Sequence, residues 1–285
     1  MNATRPLCSS LLSAAAIAGC SADTASSPNG AAADFTGVWS GALTTQEHEY
    51  WQLEDLTACL AGCSPAARAY YASLIDNPAN EFRSVQELDS LAAVFSREEL
   101  TKKSLPEGIA IQTATTEATD PDFRCMPYGL ARAAVSPLPL DIRRAGANLT
   151  IAYETWNQSR TIFMDGRAHP ANLTPTRLGH SIGRYEGDAL VIETKAVEPG
   201  LYYNFQSGGG HSAEAVFRER YVIREEPRRL ELELTVIDPV TLFHPHVLHK
   251  TWLWTPDVQL VEDRCDDARR QAVDGSTLEA LRRRR

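Results

Sequence analysis

The sequence predicts an all-β domain, an antiparallel meander closed on itself as a barrel, with a helical insertion on its N-terminal side. Three observations predict it. From Pro121 onward apolar and polar residues alternate in short runs separated by turn-forming residues. That is the period of half-buried strands, whose successive side chains point to opposite faces. No helix-period segment interrupts those runs, so consecutive strands are expected to join by hairpins. Closure into a barrel follows because it removes the exposed edges that a sheet of about nine or ten strands would otherwise present.

Of the 285 residues, the first twenty read as a leader rather than as part of the fold. Arg5 precedes an apolar run from Leu7 to Ala18, which is too short for a membrane span and ends in Ile17-Ala18-Gly19-Cys20. That ending resembles a bacterial lipobox, in which the cysteine is acylated and becomes the mature N-terminus. Ser21 after Cys20 implies retention at the outer membrane, so the expected location is periplasmic and lipid-anchored. Residues 21–33 form a Ser/Ala/Gly/Pro tether with nothing to bury. Residues 34–270 are expected to form one barrel domain, and 271–285 a basic tail ending in four arginines. The formal charge of −9 argues against a nucleic-acid binder, which needs a basic face.

The fold opens at Asp34 to Thr44 with a strand around Gly37-Val38-Trp39, a Gly-x-Trp of the kind with which lipocalin-type barrels often begin. Between about residues 50 and 105 the period becomes helical. Ser64-Pro65 is a cap followed by a first-turn proline, and Ser84 with Glu87 forms a capping box ahead of Leu88, Leu91, Ala92 and Phe95. The strands then follow as Leu138–Arg144, Leu149–Thr155, Ser159–Asp165, His180–Tyr185, Ala189–Lys195, Ala215–Arg224, Leu230–Asp238, His246–Thr255 and Gln259–Cys265. Leu230, Leu232, Leu234 and Val236 share one face of their strand, and Asp238 continues that face. Glu219 lies in an apolar row with Ala215, Phe217, Tyr221 and Ile223, so it needs a proton or a partner such as a neighbouring arginine.

Cys59, Cys63, Cys125 and Cys265 remain once the leader is removed, and an oxidising compartment allows them three connectivities. The favoured one joins Cys59 to Cys63 locally and Cys125 to Cys265 across the barrel seam.

Polar and turn-forming residues concentrate between Ser159 and Asp188. The motifs Asp120-Pro121, Cys125 with Pro127, Gly129 and Arg132, then Arg160, Ile162, Asp165-Gly166-Arg167, His169-Pro170, then Gly179, Ser181, Gly183 and Glu186-Gly187-Asp188 resemble those of a large family of exported bacterial proteins. Tyr185 stands where that family has Trp, and His211-Ser212-Ala213-Glu214 is one residue longer than its His-Ser-Glu. The resemblance implies a lipocalin-like (calycin-type) barrel and assigns no activity.

Candidate acid–base residues are Asp165, His169, His180, His211 and Glu219. Candidate ligand-binding residues are Arg160, Arg167, Ser181, Arg184, Ser212, Glu214 and Asp238. Five positions separate Arg160 from Asp165, so only one of them can face the interior, and Asp165 is the expected one. In that arrangement Asp165 orients His169, and His180 approaches from the facing strand. Gly208 to Gly210 before His211 suit a gating loop. His244-Pro245-His246 with His249 offers a metal reading that Pro245 weakens, and Gly-His-Ser-Ile-Gly lacks the strand-to-helix elbow of a serine hydrolase. No cofactor fingerprint is present. The expected function is binding of a small, partly apolar molecule inside the barrel. The alternative is a lyase, isomerase or cyclase on the same scaffold, with a metal-dependent or serine hydrolase as a minor one.

Overall fold

The computed structural model describes residues 33–40, 73, 97–98, 100–136, 138–203, 208–226 and 228–262. The leader, the tether up to residue 32, most of the expected helical insertion with both of its caps, and the basic tail lie outside these residues, as do Cys20, Cys59, Cys63 and Cys265. Cys125 is in a disulfide. Its partner, and with it the expected pairing, is outside the described residues.

Nine strands close into a barrel: β1 (Gly37–Ser40), β2 (Leu140–Ala145), β3 (Asn148–Tyr153), β4 (Gln158–Phe163), β5 (His180–Glu186), β6 (Ala189–Lys195), β9 (Val216–Arg224), β10 (Arg229–Ile237) and β11 (His246–Trp254). Around the barrel they run β1-β11-β10-β9-β6-β5-β4-β3-β2. The short strands β7 (Gly200–Leu201) and β8 (Gly210–His211) pair separately. Among the described residues, the helices α1 (Pro106–Ala114) and α2 (Leu130–Ala134) precede β2. Residues 97–98 and 100–103 are helical within the expected insertion, and α1 carries helix past its expected limit near residue 105. None of the described helices is long and apolar enough to cross a membrane.

Two strand expectations need correction. The barrel is mixed: β4 and β5 run parallel, with Ile162 beside Ser181 and Phe163 beside Ile182. A hairpin cannot join parallel neighbours, and residues 164–179 form the crossover that parallel pairing demands. The described part of the expected last strand, residues 259–262, joins no sheet. The place beside β11 is already filled by β1, which pairs Trp39 with Trp254 and also Trp39 with Leu140 of β2. One short N-terminal strand therefore closes the barrel.

The interior follows the alternation. Leu230, Leu232, Leu234 and Val236 are buried on β10, and Ile192 of β6, Phe217 of β9 and Ile151 of β3 meet them from other strands. Burying each such side chain contributes about 1.5–3 kcal/mol. On β1, Trp39 donates from Nε1 to the Phe35 carbonyl at 3.0 Å and meets the Trp254 ring edge-on at 4.8 Å. Ahead of β2, a buried ion pair from Arg132 of α2 to Asp120, 2.7 Å long, fixes that helix, and the Arg132 guanidinium covers the Tyr128 ring at 4.1 Å.

Gly37 sits at φ 121° with the Trp254 ring against its Cα, so a side chain there is both strained and obstructed. Gly37→Ala is expected to lower stability by about 2 kcal/mol or more, read from the midpoint of chemical denaturation, because β1 closes the sheet on both sides.

Candidate functional site

The barrel centre holds a polar group assembled from five strands. Arg160 and Ile162 share the inward face of β4, while Ser159 and Thr161 face outward. This reverses the expectation for the Arg160–Asp165 pair. β4 ends at Phe163, and Asp165 lies beyond it in an exposed turn. There the Asp165 carboxylate is held bidentate by Arg167, with Oδ1 2.9 Å from Nε and Oδ2 2.6 Å from Nη2. The hydrogen bonds from Arg167 hold the Asp165 carboxyl down at about 2. Asp165 touches neither His169 nor the interior, so its expected role as orienter of His169 is withdrawn.

Arg160 spends its donors on four side chains. Nε donates to the Tyr153 hydroxyl at 3.1 Å, Nη1 to Ser181 Oγ at 3.2 Å and Thr194 Oγ1 at 3.1 Å, and Nη2 to Glu219 Oε1 at 2.6 Å. Tyr221 also donates to Glu219 Oε1, at 3.0 Å, and Ser181 and Thr194 share a hydrogen bond of 2.8 Å. Burial by itself works against the Arg160 charge, but the Glu219 carboxylate, with Tyr153 and Tyr221, more than restores it, and the guanidinium is held more firmly than usual. Burial pushes the Tyr153 hydroxyl up to about 12 and Tyr221 well above its ordinary value, so both phenols keep their protons. One polar atom in this group has no partner: Glu219 Oε2 is enclosed without a hydrogen bond. A buried carboxylate oxygen left open in this way is costly, and calls for a donor from a ligand or water.

A second group lies around β8, which packs against α1, and draws side chains from β9, β11 and the end of β10. His211 is fully buried, stacked on Tyr202 at 5.7 Å and edge-on to Phe217 at 5.1 Å, and Tyr202 also meets His246 at 5.3 Å. The Asp238 carboxylate accepts from the Ser212 amide at 2.6 Å, the Ser212 hydroxyl at 3.0 Å, the Val240 amide at 3.0 Å and Thr241 Oγ1 at 2.7 Å. Burial would raise its pKa, but these donors outweigh that and lower it. Asp238 thus ties the chain after β8 to the end of β10. The glycine run before His211 is no gate. Gly208, Gly209 and Gly210 are buried, and a Cβ on them would lie 2.5 Å from Gln112, 2.5 Å from Tyr202 and 2.7 Å from Ile111. The glycines let α1 approach the backbone closely, and Gln112 Oε1 accepts from the Gly209 amide at 2.8 Å.

The third group is on the outer wall, over the parallel seam. His169 and His180 approach Nδ1 to Nδ1 at 2.8 Å, His180 stacks on Phe163 at 5.1 Å, and Arg167 covers that Phe163 ring at 4.1 Å. Arg184 pairs with Glu186 at the surface, and Glu214 is exposed, bonded through its amide to Ser212 Oγ; neither joins a group.

The structure therefore brings together Arg160, Ser181 and Glu219 in one place, His211, Ser212 and Asp238 in a second, and Arg167, His169 and His180 in a third. Sequence reasoning missed Tyr153 and Thr194 in the first, Tyr202 in the second and Glu193 in the third; it had Tyr221 only as a member of the Glu219 row and His246 only in the metal reading. Alternation already puts Tyr221 on the Glu219 face, and Thr194 could have been found the same way, since it shares its strand face with Ile192. The metal reading does not gather its ligands: His246 is enclosed while His244 and His249 are exposed. Among the described residues no group of three or more His, Cys, Asp or Glu is arranged to hold an ion. Ser181 sits inside strand β5, bonded to Thr194, and is no nucleophile elbow.

Burial holds both the His211 and His246 imidazoles down at about 4, against an ordinary value of 6.5. The unfolded chain takes up those protons before the folded one does, so stability is present above pH 6.5 and is lost as pH falls towards 4. Each group contributes a slope of roughly 1.4 kcal/mol per pH unit in that window. His211→Gln is expected to remove about half of that slope, as measured by denaturation at stepped pH. Comparison with known proteins finds no match to this chain, whether among family models, curated proteins or solved structures.

Proposed function

We propose that this chain is a lipid-anchored periplasmic barrel that binds a small, partly apolar molecule in its interior, and that it belongs with the exported bacterial proteins whose motifs it resembles. The observation that carries the binding reading is Glu219 Oε2, an inward carboxylate oxygen without a partner, set among apolar rows. Arg160 already satisfies the other oxygen and is itself neutralised, so the centre does not call for an anion. It calls for a hydrogen-bond donor, a hydroxyl or an amide N–H, on a molecule whose remaining surface is apolar. Anchoring rests on Ile17-Ala18-Gly19-Cys20 and the polar tether after it.

Removing Glu219 alone strands a buried guanidinium, which costs about 3–5 kcal/mol, whereas replacing both charges with apolar side chains is often neutral. The test is therefore the double variant Arg160→Met with Glu219→Leu. The wild-type chain, purified natively from the periplasm, is expected to release a bound small molecule on denaturation, detected by mass spectrometry. The folded double variant is expected to carry none. A wild-type chain that carries nothing, or a double variant that retains the same molecule, overturns the reading.

Cys20→Ala is expected to yield an unacylated chain that no longer needs detergent for extraction. Recovery of that variant still acylated and membrane-bound would exclude Cys20 as the anchor.

A further inference from the structure

The outer-wall histidines form a group that the interior binding reading does not use. Nδ1 of His169 and Nδ1 of His180 are 2.8 Å apart, so in the neutral pair one nitrogen carries the proton and the other accepts it. What decides between them lies on the far side of the His169 ring. There Nε2 is enclosed without a hydrogen bond, and the carboxylate oxygen Glu193 Oε1 lies 3.7 Å away. A carboxylate at that position favours a proton on His169 Nε2, which leaves His169 Nδ1 as the acceptor. His180 must then donate from Nδ1, and its Nε2 is left bare. That nitrogen makes no hydrogen bond to a described residue.

The charges facing the pair support the same direction. Glu193 is held ionised against its burial by Lys195 at 3.1 Å and Arg218 at 3.2 Å. Burial, His180 and Lys195 lower the pKa of His169, and Glu193 opposes them. Burial and then Arg167 lower that of His180. Both rings are therefore neutral and able to accept. Arg167 binds Asp165 through Nε and Nη2, and its Nη1 engages no described residue. The Phe163 ring meets both the Arg167 guanidinium and the His180 ring, which keeps a cation near the base.

We propose that His180 is the proton acceptor of a second, external site, with His169 and Glu193 as its relay and Arg167 as the anchor for a small oxyanion substrate such as a carboxylate or phosphate ester. The substrate gives up its acidic proton to His180 Nε2 and keeps the electron pair. His180 Nδ1–H passes to His169 Nδ1, and the positive charge comes to rest on His169, beside Glu193. When the substrate anion is reprotonated the two transfers reverse, so nothing is oxidised or reduced. His180 is the catalytic residue of this site, and His169 and Glu193 are positioning residues.

Three measurements on the full chain test it. Long-range nitrogen–proton spectra at neutral pH are expected to find His169 protonated on Nε2 and His180 on Nδ1. The opposite tautomers overturn the relay. Carbethoxylation by diethyl pyrocarbonate is expected to be several-fold faster at His180 than at the exposed His249, and Glu193→Ala is expected to bring His180 down to the His249 rate with its circular dichroism unchanged. Equal rates in the wild type, or a rate that Glu193→Ala leaves unchanged, overturn it as well. Inorganic phosphate, used as the anion probe, is expected to shift the His180 resonances saturably in the wild type and not in Arg167→Gln. No saturable shift in the wild type, or the same shift in both, overturns the oxyanion assignment.

Discussion

The Arg160–Glu219 contact constrains more of this molecule than any other. Two opposite charges, 2.6 Å apart and nearly or wholly without exposure, sit at the centre of a barrel otherwise lined with aliphatic and aromatic side chains. Neither charge is tolerable there alone, since desolvation of an isolated ion costs several kcal/mol even after relaxation. β4 and β9 are separated around the barrel by β5 and β6, so the pair can form only when the sheet has its full curvature. Ser181 and Thr194, one from each intervening strand, bridge the gap by accepting from the guanidinium. A slip of one residue in any of these strands would turn its polar side chain outward and leave the others unsatisfied. The pair thus selects register as much as it adds stability.

The crossover between β4 and β5 has a comparable effect on the outer surface. Because the two strands run parallel, the connection must return along the wall, and it carries Asp165, Arg167 and His169 to the outside of the barrel. His180, the first residue of β5, faces the same side, as do its neighbours Lys195 and Glu193 on β6. The same chain reversal therefore places one set of motif residues inside, through β4, and another set outside, through the loop. The two groups can act independently, since a packed barrel wall lies between them.

At the end capped by α1 the governing requirement is close approach. The three glycines before His211 carry no side chains because Gln112, Tyr202 and Ile111 occupy that space. Stacking His211 on Tyr202 in a fully buried site keeps the imidazole neutral, which suits a group that packs and accepts better than one that exchanges protons at neutral pH.

By itself the sequence determined the all-β class, the position of most strands to within two residues and the inward faces of β9 and β10, because alternation is a local property that survives any tertiary arrangement. It also placed Glu219 in an apolar row and left it either a proton or a partner such as an arginine, since a buried carboxylate has few alternatives. The tertiary structure alone decided which arginine. Arg160 and Asp165 lie on opposite parities of one run, and nothing local says which parity meets the core; the end of β4 at Phe163 and its pairing with β3 and β5 settle that. Strand direction was equally hidden, because a parallel neighbour and an antiparallel one impose the same alternation. The meeting of His169 with His180 and Glu193 depends on that direction and on β6 lying beside β5, and pairings between strands are fixed only when the whole sheet closes.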